Sequence, residues 1–98
     1  MPAYVFRFGY ETPAQTDANA ANDWEDESSQ WLVIDAASED EALKWGCEVA
    51  ERFISQTNGV SWRAGEFANW VELWTQSDWA TAAQRVSVGQ LPDFSKWT

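Results

Sequence analysis

Histidine is absent from this chain, cysteine occurs once, and only six side chains are basic. The missing imidazole excludes histidine-based acid–base catalysis and the commonest zinc ligand. Cys47 stands alone, so it can neither close an internal disulfide nor begin a cysteine metal site. No glycine-rich phosphate loop, nucleophile elbow or Cys/His pair is present. No run approaches the roughly 18 apolar residues of a membrane-spanning helix. Residues Met1 to Arg7 lack the charged-then-apolar order of a signal peptide, so a reduced, cytoplasmic setting is expected. No cofactor and no metal are expected, and the chain does not read as an enzyme.

What is present is acid and aromatic surface. Sixteen acidic residues against six basic ones leave a net charge of −10. Such a field repels phosphate backbones and anionic lipid, so nucleic acid and membrane are poor partners and a basic protein is a good one. Eight tryptophans, five phenylalanines and two tyrosines stand among 98 residues. At this length about 65% of the unfolded surface can be buried, enough for one core and one domain spanning 1–98.

Aromatics at Tyr4, Phe6, Phe8 and Tyr10 alternate with smaller or charged residues, the period of a strand with one buried face. Pro13 ends it. Residues 11–29 contain six acids and no base, with Trp24 the only large apolar side chain, and read as a mobile acidic loop. A short helix within 16–22 is the alternative there. Residues 30–36 form a second strand, with Leu32, Ile34 and Ala36 on one face and Trp31, Val33 and Asp35 on the other.

Ser38 followed by Glu41 is a capping box opening a helix over 39–56. Ala42, Leu43, Gly46, Val49, Ala50, Phe53 and Ile54 form its apolar stripe. Gly46 lies inside that stripe, which calls for close approach of the helix to an aromatic of the first strand. Cys47 reads as a small buried residue. Residues 67–74 read as a third strand, 79–84 as one or two helical turns and 85–88 as a last strand ending at Gly89.

The expected fold is therefore α+β, a three- to four-stranded, mostly antiparallel sheet with one long helix packed across one face. Tyr4, Phe6, Phe8, Leu32, Ile34, Val71, Leu73, Val86 and Val88 would face the helix. The opposite face would carry Arg7, Trp31, Val33, Asp35, Trp70, Glu72 and Trp74. That is too aromatic for an idle solvated face. Three readings stay open: the C-terminal segment folds over it through Phe94 and Trp97; it meets a protein partner or a second copy in a homo-oligomer; or its tryptophans stack a small ligand or sugar. Arg7, Asp35 and Glu72 would form an ion-pair cluster there. The acidic segment, with Trp24 as an aromatic anchor, would either present carboxylates to a basic protein or stay a solvated charge run. It lacks the glycine and terminal glutamate of an EF-hand, so a calcium site is not expected.

Overall fold

The computed structural model describes residues 2–24, 27–59, 61–63, 70–75 and 83–97. Strand β1 (Ala3–Tyr10) is followed by helix α1 (Pro13–Asn22), β2 (Ser28–Asp35), α2 (Glu39–Asn58), β3 (Val71–Thr75), β4 (Gln84–Ser87) and a 3-10 helix over Phe94–Trp97. The four strands form one sheet in the order β3-β1-β2-β4. β1 runs antiparallel to both β2 and β3, whereas β2 and β4 are parallel. This is the expected α+β architecture, a mostly antiparallel sheet with one parallel pair.

Period two explains the core. Phe6 and Phe8 are fully buried and Tyr4 and Tyr10 nearly so, all on the face covered by α2. They meet Leu32, Ile34 and Val86 from the neighbouring strands and Val49, Ala50, Phe53 and Ile54 from α2. Contrary to the expectation of a half-buried strand, β1 is also covered on its other face, where Val5 is fully buried. β1 and β2 are the two inner strands of the sheet, and β1 is the more deeply buried of them.

α2 starts as expected. Ser38 Oγ accepts from the Glu41 N–H at 3.3 Å. Glu41 reaches back one residue further than a reciprocal box requires, accepting from the Ala37 N–H at 3.2 Å. Gly59, at φ 71°, closes the helix by donating its N–H to Ser55 O. A β-carbon on Gly46 would collide with the Phe6 ring, so the close approach inferred from that glycine is present. Leu43 does not belong to the buried stripe. It is exposed, one helical step beyond the covered face. Val88 is likewise corrected: β4 ends at Ser87, and Val88 stands exposed in the following turn.

The acidic segment holds the larger surprise. Where a loop over 11–29 was expected, residues 13–22 are helical and β2 already begins at Ser28. Thr12 Oγ1 accepts from the Gln15 N–H while the Gln15 side chain accepts from the Thr12 N–H, a complete capping box with Pro13 in the first turn. No residue of α1 is buried, so caps rather than core contacts define it. Further bonds tie it to its surroundings: Asn19 donates to Glu11, and Ser28 donates to Gln15.

Phe94 and Trp97 settle on the α2 side of the sheet, against Phe53 at ring distances of 5.4 and 5.1 Å. Gln30 fixes this end by donating to the Trp97 carbonyl and to the Tyr10 hydroxyl. The C-terminal segment therefore covers the core and not the tryptophan-bearing face. The helical turns expected over 79–84 and the start of the strand expected over 67–74 fall largely outside the described residues.

Candidate functional site

The face opposite α2 is assembled by register. Arg7 on β1 pairs across to Trp31 on β2 and to Glu72 on β3. Alternation then brings Trp74 beside Val5, while Gly9 donates its N–H to the Trp70 carbonyl just before β3 starts. Arg7, Trp31, Trp70, Glu72 and Trp74 thus share one surface.

Arg7 is its centre. Its guanidinium lies 4.7 Å from the ring centre of Trp31 and 4.8 Å from that of Trp70, held between indoles from the two sides of β1. Nε and Nη2 both donate to Ser29 Oγ, and Nη1 stands 3.8 Å from Glu72. Cation–π contacts of this kind contribute about 0.5–1 kcal/mol when exposed and about 2 kcal/mol when desolvated. The long Arg7–Glu72 pair adds little by comparison. Trp31 in turn stacks on Trp74, with centroids 5.7 Å apart and planes 22° from parallel. The result is a ladder of Trp70, Arg7, Trp31 and Trp74.

Two residues outside the candidate set complete it. Gly9 leaves the space in which the Trp70 ring lies, since a β-carbon there would overlap the indole. Glu27, at the end of the acidic segment, accepts a hydrogen bond from Trp70 Nε1 at 2.9 Å. A glycine inside an aromatic strand pattern is a signal of close approach and was available in the sequence. The Glu27 contact was not, because it depends on how the segment after α1 returns to the sheet.

Asp35 is on the same face but not in the ladder. It lies opposite Ala3, four residues along β1 from the Arg7–Glu72 rung, or roughly 13 Å. Its partner is Arg85 of β4, which donates from Nε and Nη2 to the two carboxylate oxygens at 2.8 and 2.6 Å. These hydrogen bonds hold the Asp35 carboxyl below its usual range and push the Arg85 guanidinium up. The expected Arg7–Asp35–Glu72 cluster is therefore two separate pairs, and the two carboxylates cannot act together. Trp24 also stands apart, exposed beyond α1, with its N–H on the Asn19 carbonyl.

Elsewhere, Glu48 pairs with both Arg52 and Arg63. The Arg63 N–H and the Ser61 hydroxyl donate to Glu51 and lower its pKa, the Arg63 bond contributing most. Burial pushes the Cys47 thiol up, which suits a packing role. Among the described residues no group of three or more His, Cys, Asp or Glu side chains could hold a metal ion, and no helix is long and apolar enough to cross a membrane. No protein-family model, curated protein or solved structure matches this chain.

Proposed function

We propose that this domain is an acidic protein-interaction module that docks onto a basic protein partner. One observation carries the reading. All four arginines lie beside carboxylates of the fold itself: Arg7 at 3.8 Å from Glu72, Arg52 and Arg63 on Glu48, and Arg85 on Asp35. Only two lysines remain to balance the rest of the sixteen acidic residues. Among the described residues no charged side chain is buried, so their excess negative charge lies at the surface, where it accelerates encounter with a cationic surface and resists self-association.

The small-ligand reading has less support, because Arg7 and Trp74 already take up much of the Trp31 ring. Affinity capture from the native source, eluted with a salt gradient, tests the proposal. Retained proteins should be basic and should leave as salt rises, since screening shortens to about 3 Å at 1 M. Retention of a neutral or acidic partner through 1 M salt would overturn it, as would a stable homodimer in sedimentation.

A further inference from the structure

Asn58 and Gly59 form the only Asn–Gly pair in the chain, and they stand at the point where α2 stops. The Asn58 amide donates from Nδ2 to the Glu11 carbonyl at 3.1 Å, across 47 positions of sequence. Glu11 directly precedes Thr12, the cap of α1, and its carboxylate accepts from Asn19 within that helix. One side-chain amide thus fastens the start of α1 to the end of α2, and α1 has no buried residue of its own.

We propose that Asn58 is a spontaneous deamidation site, shielded while the last turn of α2 is closed, whose conversion to a carboxylate unfastens α1. In the reaction the Gly59 backbone nitrogen attacks Asn58 Cγ and loses its proton, while the Cγ–Nδ2 bond breaks and ammonia leaves. Water then opens the cyclic imide at either carbonyl, giving aspartate or isoaspartate with no oxidant or further reagent. Glycine in the second place makes the pair reactive. Without a β-carbon it leaves its nitrogen open to approach and its backbone free to turn into the ring. No described atom lies within 4 Å of where a Gly59 β-carbon would stand.

The fold withholds the reaction in two ways. Helical side chains tilt toward the N-terminus, which carries Asn58 Cγ back over the preceding turn and away from the Gly59 nitrogen. Both reacting groups are also engaged, Asn58 Nδ2 on Glu11 and the Gly59 N–H on Ser55 O at 3.2 Å. Attack therefore waits on local opening of an end whose residues 55–59 are exposed or half-buried. The product does not fit back. A carboxylate has no hydrogen to give the Glu11 carbonyl, so two acceptors would face each other. It also adds negative charge at the C-terminal end of a helix whose last turn carries no basic residue, where the dipole disfavours it.

The test ages the whole chain in mildly alkaline buffer with and without urea, and reads each asparagine by peptide mapping and mass spectrometry. Acid should appear first at position 58, and about ten-fold or more slowly in buffer than in urea, because only the opened turn reacts. Gly59→Ala should slow the reaction in urea, where its effect on the fold no longer matters. Asn58→Asp should reproduce the consequence at once, with amide exchange quickened over 14–22 while β1 stays protected. Gln56→Glu adds the same charge to the last turn but keeps the Asn58 amide, and should leave 14–22 unchanged. Equal rates with and without urea would overturn the shielding, and earlier conversion at Asn19, Asn22 or Asn69 would overturn the site. Exchange over 14–22 that is untouched by Asn58→Asp, or quickened as much by Gln56→Glu, would overturn the link to α1.

Discussion

The Trp70 indole lies in the space that a β-carbon on Gly9 would need. The two residues are also joined through the backbone, Gly9 N–H to Trp70 O at 2.9 Å, so the ring folds back over its own hydrogen-bonding partner. On the other side of the sheet the Gly9 carbonyl accepts from the indole of buried Trp62 at 2.8 Å. One glycine thus organises two tryptophans.

Gly9→Ala should therefore push Trp70 off the sheet and release Arg7 from one of its two rings. Overpacking of this kind costs about 1–3 kcal/mol, to be read in urea unfolding. Trp70→Ala in the same chain should remove most of the Gly9→Ala penalty, because the clash needs both partners. Additive losses would show that a methyl at position 9 does not meet the Trp70 ring.

Gly46→Ala offers a contrast with helix propensity. In an open helix the change stabilises by about 1 kcal/mol. Here the new methyl meets the Phe6 ring, so the variant should be less stable than the parent. Shortening the obstacle with Phe6→Leu should make Gly46→Ala less harmful. A stabilising Gly46→Ala in the parent background would contradict the packing of α2 on β1.

Helix α1 has no buried residue to hold it, so its cap matters more than usual. Thr12→Ala should cost about 0.5–2 kcal/mol of local stability. Amide exchange should quicken across 14–22 while α2 stays protected. Unchanged exchange over α1 would mean that the Thr12 bonds do not define its start.

The Asp35–Arg85 pair sets a pH dependence. The folded-state pKa of Asp35 is lowered from an ordinary value of 3.8, chiefly by the Arg85 hydrogen bonds. The unfolded chain then binds a proton before the folded one does as pH falls. The pair's stabilisation is complete above the ordinary value and is lost as pH drops through the lower folded one. The stability difference between the parent and Asp35→Asn should be constant from pH 5.5 to 7 and shrink from pH 4 downward. A difference that persists undiminished at pH 2 would exclude this assignment.

Local pattern revealed the parts whose reasons are local. The alternation at Tyr4, Phe6, Phe8 and Tyr10, the cap at Ser38 and the glycine at position 46 each carry their consequence within a few residues. The shared face of Trp31, Trp70 and Trp74 was readable for the same reason. Helix α1 entered only as the shorter alternative over 16–22 because its helical evidence is polar: Thr12, Pro13 and Gln15 form the cap, yet no apolar stripe follows. The ladder through Arg7 required strand order, since Trp31 and Trp70 reach it from opposite sides of β1. The partner of Asp35 required the parallel pairing of β2 with β4, which joins residues fifty apart. Phe94 and Trp97 were apolar enough to signal burial, but only Phe53 and Gln30 decide on which side.

Strand order also sets a schedule for synthesis. β1 emerges first, and β2 with α2 can close over one side of it by about residue 59. Its other edge waits for β3, whose Glu72 pairs with Arg7 across 65 positions of chain. Until those residues leave the ribosome, the most apolar strand of the domain has one row of backbone groups unfilled. An unpaired edge beside Val5, Phe6 and Phe8 is a template for pairing with another nascent chain. The same centrality that makes β1 the best-buried strand makes the half-built domain the species most exposed to aggregation.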